Sequence, residues 1–255
     1  MPVKINTLAR YGVVALAGAV IALSATHMRA NAQDKAAKAL AARAPLTAFR
    51  LSSRPPQGAV ILFSGKQEEF ANNFYKRYTT TPGDWTVDAQ GVSSPAKDDL
   101  TTKMEFGDCY VHAEFQCSVD ANGKSIGEGN SGVAFEGRYE VQILDSYGKE
   151  HPDPTDCGAF YSKKAPLVNP SKKPGEWQVF DILFRAPRFD GDGKVTEKAR
   201  ATVFMNGVIV QNNDEIVGPT GIQYGEFKGE VPTGPIILQG DHSPVHFRNV
   251  WAVPL

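Results

Sequence analysis

Hydrophobic residues along this chain alternate with polar ones in short runs, and no stretch keeps a helical period for long. Residues 133–135 and 139–144 are two such runs on either side of Glu136-Gly137-Arg138, a combination that predicts a tight hairpin. In the second run Tyr139, Val141 and Ile143 fall on one face, and Glu140 and Gln142 on the other. Further apolar or alternating runs occupy residues 59–65, 85–87, 91–93, 100–104, 109–119, 176–185, 199–205, 208–210, 235–239 and 245–253. Turn signals separate them at intervals of about ten residues, the spacing of sandwiches and barrels. Asn206-Gly207 is the strongest and predicts a type I′ turn, while Asp190-Gly-Asp-Gly193 lacks the later Glu of a calcium loop and reads as a hairpin turn. Residues 68–78 are amphipathic enough for a helical turn or more. The pattern predicts an all-β fold of two packed antiparallel sheets.

The first residues read differently. Lys4 and Arg10 precede an uncharged run over residues 11–26, and Ala30-Asn31-Ala32 supplies a small-x-small cleavage pattern. This predicts a signal peptide over residues 1–32, since the run falls short of the ~20 residues of a spanning helix. Residues 33–58, rich in Ala, Lys and Arg and closed by Arg54-Pro-Pro-Gln-Gly58, form a linker, and residues 59–255 form one domain. The expected protein is exported, periplasmic or secreted, with no membrane span after cleavage. Its 27 Lys and Arg against 28 Asp and Glu give a net charge of −1, scattered along the chain. That removes the electrostatic case for nucleic acid or an anionic membrane as partner. Cys109 and Cys117 sit too far apart on one straight strand to bridge each other. A bridge from either to Cys157, or three buried thiols, both remain open, and no metal spacing is present.

A carboxylate beside a carboxamide on one strand face, with Asp145 just beyond, suits either a solvated face or a polar cleft. The run Asn130-Ser-Gly-Val-Ala-Phe-Glu-Gly-Arg-Tyr-Glu-Val-Gln-Ile-Leu-Asp-Ser-Tyr147 resembles the central motif of the bacterial 3-keto-disaccharide hydrolase domain family. Leu62-Phe-Ser-Gly65, Cys157-Gly-Ala-Phe-Tyr161, Gly175-Glu-Trp177, Phe184-Arg-Ala-Pro-Arg-Phe189 and Pro244-Val-His-Phe-Arg-Asn249 extend the resemblance over nearly all of the expected domain. It implies a concanavalin-like jelly roll with a sugar-binding groove on a concave face, and an enzyme that cleaves 3-keto-glycosides. The motif is also similar to the Glu-x-Asp-x-x-Glu strand of laminarinase-type glycosidases, with Gln142 in place of the Asp and Asp145 in place of the last Glu.

A 3-keto sugar is cleaved by removal of the C2 proton and β-elimination at C1, which needs a base, an electrophile for the enolate and an acid for the leaving group. Glu140 is expected as base or acid. His242, in the Gly-flanked turn Gln239-Gly-Asp-His242, is the second candidate, oriented by Asp241. Asp145 completes the expected catalytic set. Arg138 is the expected enolate partner, and Asn130, Ser131, Gln142, Gln239 and Arg248 the expected contacts to the carbohydrate. No cofactor is demanded, although a divalent cation bridging Glu140, His242 and the keto oxygen would serve as a Lewis acid. Trp85, Trp177 and Trp251 read as core, and His112 and His246 as structural. The rival readings are a lectin-like binding module, a conventional laminarinase-type glycosidase and a structural envelope domain.

Overall fold

The computed structural model describes residues 54–95, 97–220 and 229–255. The expected signal peptide, its cleavage point after Ala32 and the linker up to residue 53 lie outside the described residues. No helix among the described residues is long and apolar enough to cross a membrane.

Strands dominate. The chain runs through β1 (Val60–Phe63), helix α1 (Gln67–Asn73), β2 (Phe74–Lys76), β3 (Thr86–Val87), β4 (Ser93–Ser94), β5 (Leu100–Phe106) and β6 (Cys109–Cys117). The hairpin of β7 (Ser131–Phe135) and β8 (Tyr139–Ile143) follows, then β9 (Gln178–Arg185), β10 (Arg188–Phe189) and β11 (Val195–Glu197). The last four are β12 (Arg200–Met205), β13 (Val208–Glu215), β14 (Gly234–Leu238) and β15 (Val245–Pro254). Helix α1 ends earlier than the pattern predicts, because Phe74 turns to extended backbone and its strand pairs with β5. Its start is tied down by Glu69, whose carboxylate accepts from the Ser64 and Lys66 amides at 2.6 and 3.1 Å.

Two antiparallel sheets form the sandwich, one in the order β1-β15-β6-β9-β12-β13 and the other β2-β5-β14-β7-β8. Alternation decides what lies between them. Val133, Phe135, Tyr139, Val141 and Ile143 from one sheet share a core with Val111, Phe115, Phe180, Ile182 and Phe184 from the other. Phe135 stacks on Phe184 across the gap, with ring centroids 4.6 Å apart. Such pairs add about 0.5–1.5 kcal/mol beyond area burial. The architecture is the sandwich of two antiparallel sheets that the pattern predicts, consistent with the jelly roll that the family resemblance implies.

The turns follow their residues. Glu136 and Gly137 both have positive φ, 52° and 65°, and the Arg138 amide donates to the Phe135 carbonyl at 2.9 Å, which makes a two-residue hairpin. Asn206 and Gly207 do the same between β12 and β13. The free edge of β8 is covered: Tyr161 donates to the Glu140 carbonyl at 3.2 Å, and the Glu140 amide donates to Thr220 Oγ1 at 2.8 Å. All three cysteines are buried and free. Burial pushes the Cys109 and Cys117 thiols up to about 12, so neither is a thiolate at neutral pH.

Candidate active site

Register sets which polar groups meet. On the face of the five-stranded sheet turned away from the core, Tyr75, Thr101, Ile237, Ala134 and Glu140 form one row across β2, β5, β14, β7 and β8. The next row holds Gln239, Gly132 and Gln142, since the Gln239 amide donates to the Gly132 carbonyl at 3.0 Å and Gly132 pairs with Gln142. Between β14 and β8, strand β7 offers only Gly132 and Ala134 to this face, and Glu140 leans over it. A Cβ built on Gly132 would meet Glu140 Oε1 at 2.5 Å and its Cγ at 2.9 Å.

Glu140 is 1% exposed. Burial pushes its carboxyl up to about 8, the charges of Asp99 and Asp241 add to the rise, and Arg77 opposes it. At neutral pH it is therefore largely a neutral acid. The Gln142 amide is oriented by its neighbours: with its nitrogen toward β7 it donates to Glu140 Oε1 at 3.0 Å and to the Ser131 carbonyl at 3.1 Å. The opposite orientation would set its oxygen against acceptors. Its oxygen then faces the Asn130 side chain at 3.3 Å. Gln142 thus donates to Oε1 of the carboxyl and orients it.

Beside this face lies a cleft of about 160 Å³ lined by Arg77, Tyr78, Lys97, Asp98, Asp99 and Asp241. Arg77 donates to Asp99 Oδ2 at 2.9 Å, and Asp99 Oδ1 accepts from the Gly240 amide at 2.9 Å. That holds the turn bearing Asp241 and His242 next to the sheet. His242 Nδ1 lies 3.1 Å from Asp241 Oδ1, and its ring is 41% exposed. Asp241 is raised above the ordinary carboxylate value, first by burial and then by the charge of Asp99, with His242 pulling the other way. Register thus sets Glu140, Gln142 and Gln239 on one face, with Asp241 close enough for its charge to act on Glu140, His242 beside Asp241 on the same turn, and Asn130 next to Gln142.

The sequence pattern of the 3-keto-alpha-glucoside-1,2-lyase-like domain matches residues 58–253. The chain belongs to that family. Among solved structures, a candidate glycosyl hydrolase from Parabacteroides distasonis is 35% identical over 78% of this chain and 85% of its own, with a TM-score of 0.65. Two further candidate glycosyl hydrolases from the same organism, at 22% and 26% identity, cover 78% and 77% of this chain and 94% and 99% of their own. Their TM-scores of 0.55 and 0.52 extend the likeness in fold. No curated protein matches the chain. Family and neighbours support a carbohydrate-active function of glycosidase type.

For a family member of this kind, four of the expected site residues lie elsewhere. Arg138 serves the hairpin: its Nη1 donates to the Glu136 carbonyl at 2.6 Å and its Nε to the Gly229 carbonyl at 2.7 Å. Ser131 points beneath the sheet, where its hydroxyl donates to the Gln239 carbonyl at 2.8 Å. Asp145 accepts from the Ser125 hydroxyl and, at 3.3 Å, from the Tyr147 amide. It holds a loop, and it is not among the charges that act on Glu140. Arg248 sits on the outer face of the other sheet, where its Nε donates to Glu114 Oε2 at 2.7 Å and its guanidinium covers the Trp177 ring at 4.0 Å. It cannot reach the Glu140 face, because the core lies between. Trp177 accordingly is part of that outer face; Trp85 lies in the core as the pattern predicts, whereas Trp251 is buried on the outer face, paired with His112 and stacked on its ring. The described residues hold no group of three His, Cys, Asp or Glu side chains set to bind a metal ion, so the bridging cation gains no donor set from them.

Sequence reasoning missed Arg77, Tyr78 and Asp99. Arg77 and Asp99 are twenty-two positions apart and meet only through the pairing of β2 with β5, so no local motif carries them.

Proposed function

We propose that this protein cleaves the glycosidic bond of 3-keto-glycosides by elimination and hydration. A base removes the C2 proton, and the C–H electron pair forms C2=C3 as the keto π pair moves onto O3. The ketone then re-forms, C1=C2 forms and the C1–O bond breaks, its pair leaving with the departing oxygen. An acid protonates that oxygen. Water adds its oxygen to C1 and a proton to C2 of the enone, so the net reaction is hydrolysis.

Glu140 is assigned as the acid and His242 as the base, with Asp241 as the partner of its Nδ1. The observation that carries the reading is Glu140 itself, a buried carboxyl held up to about 8 and aimed by an amide, in a face that also receives the His242 turn. A carboxyl of that kind is protonated at neutral pH and ready to donate. Family membership supports the 3-keto substrate class. The separate engagement of Asp145 disfavours the laminarinase-type pair, in which a second carboxylate, about 5–5.5 Å from the acid, attacks C1.

The test compares two leaving groups. Glu140→Gln is expected to lose about 10²–10⁴-fold in kcat on a 3-keto-disaccharide, whose alcohol needs a proton to depart, and far less on a nitrophenyl 3-keto-glucoside, whose phenol does not. Full activity of the folded variant on the disaccharide would remove Glu140 from the reaction.

A further inference from the structure

Gln239 poses a separate problem. Its side chain is 1% exposed, yet neither its Nε2 nor its Oε1 has a hydrogen-bond partner among the described residues. An unpaired buried amide is a standing penalty, and a folded chain that keeps one calls for an explanation. Its position supplies it. Gln239 follows the last residue of β14, and alternation puts its side chain on the Glu140 face, since Ile236 and Leu238 enter the core while Ile237 and Gln239 do not. It occupies the same row as Gln142 and immediately precedes the turn that carries Asp241 and His242. Diagonally across on β5, the Thr101 hydroxyl is likewise buried without a partner. Diagonal neighbours of this kind stand about 7–8 Å apart, within reach of one shared ligand atom when one of the pair is as long as Gln.

Two donors of this region are already engaged, the Gln142 nitrogen by Glu140 and Ser131, and Arg77 by Asp99. The reaction nevertheless places a negative charge on O3 once the C2 proton has gone.

We propose that Gln239 is a catalytic residue that donates from Nε2 to the developing enolate oxygen, with the Thr101 hydroxyl as second donor to the same atom; this rests on the elimination reading above. The amide binds the ketone in the ground state and binds the enolate more strongly, because the bond becomes charge-assisted. No atom is transferred by Gln239. It lowers the barrier to removal of the C2 proton by His242, and Oε1 is left to accept from a neighbouring sugar hydroxyl.

The test is Gln239→Leu, close in volume and without polar atoms. Three quantities are measured: kcat on a 3-keto-disaccharide, the rate of solvent-deuterium exchange at C2, and the melting temperature. The expected result is a fall of about 10²–10³-fold in kcat, the loss reported for removing one such donor, with an equal fall in C2 exchange. The melting temperature is expected to stay or rise, because an unpaired buried amide has been replaced by an apolar group. A purely structural Gln239 would instead lower the melting temperature and leave C2 exchange intact. If the wild-type protein cleaves the substrate with C2 exchange and the leucine variant keeps both rates, the assignment of Gln239 is overturned and the elimination reading stands. If the wild-type protein shows no C2 exchange during cleavage, the elimination reading itself fails and this assignment falls with it.

Discussion

Two glutamates four residues apart show what burial does to one side chain. Glu140 faces a partner amide and a charged cleft, and Glu136 has neither. Glu136 sits at the first turn position with φ 52°, 2% exposed, and neither carboxyl oxygen has a hydrogen-bond partner among the described residues. Burial pushes it up to about 8, Arg138 opposes the rise, and the charges of Glu230 and Asp108 add to it. A carboxyl raised from its ordinary 4.5 contributes stability that is complete below about pH 4.5 and is lost as pH rises through about 8. Glu136→Gln is therefore expected to unfold with a much flatter pH dependence, and to exceed the wild type at pH 9 by roughly 1–3 kcal/mol in urea titrations. Parallel curves for the two proteins would show that Glu136 does not ionise in that range. For Glu140 the consequence is kinetic. As the acid it must carry its proton, so kcat/KM on a 3-keto-disaccharide should fall as pH rises through about 8, and this limb should vanish in Glu140→Gln.

At the scale of elements, the β7–β8 hairpin does most to build the site, and most of it was legible in the sequence. Alternation put Glu140 and Gln142 on one face, and Glu136-Gly137 announced the turn. The consequence of Gly132 was not legible, because its role depends on which neighbouring side chain lies over it. With no Cβ, it lets the Glu140 carboxyl rest across β7, where Gln142 reaches it. Gly132→Ala should leave the fold intact, as its backbone φ is not in the left-handed region, yet push the carboxyl aside. A displacement near 1 Å costs about 10²-fold in rate, and the loss should again be confined to poor leaving groups. Unchanged kinetics in the alanine variant would mean that Glu140 has other room to move. Arg138 and Asp145 illustrate the converse limit. Their types and spacing suit catalysis, but hydrogen bonds to a loop carbonyl and a loop hydroxyl claim them, and only the fold reveals such partners.

The whole molecule carries a polar cluster on the outer face of each sheet, and the two do different work. On the six-stranded sheet, His112 Nδ1 lies 2.7 Å from Asp181 Oδ1, the Tyr110 hydroxyl donates to the same oxygen at 2.6 Å, and the His112 ring stacks on Trp251 at 4.9 Å. Glu114 accepts from Arg248 Nε at 2.7 Å and Asn249 Nδ2 at 2.9 Å. Burial pushes Glu114 up, but hydrogen bonds from His112, Asn249 and Arg248 outweigh it and hold the carboxyl at about 2. This cluster knits β6, β9 and β15 together. Its contribution is complete above pH 4.5 and is lost as pH falls toward 2. Glu114→Gln should lower stability at pH 7 by roughly 1–3 kcal/mol, converge with the wild type near pH 2 and leave kcat/KM unchanged. A loss of activity without a loss of stability would move the functional face to this sheet. The alternation of each strand marked both polar faces, but sequence alone could not say which held the site, since a strand pattern does not record which sheet a strand joins. That uncertainty is why Arg248 was expected beside Glu140.

The most direct measurement is deuterium at C2. A 3-keto-disaccharide is turned over once in heavy water, and the released 3-keto sugar is read by NMR against the uncatalysed exchange of the same sugar. Elimination and hydration predict one deuterium at C2 in every product molecule, with Glu140→Gln slowing cleavage while C2 exchange continues and His242→Ala slowing both. Product that keeps its original C2 proton would show direct displacement at C1 and contradict the account.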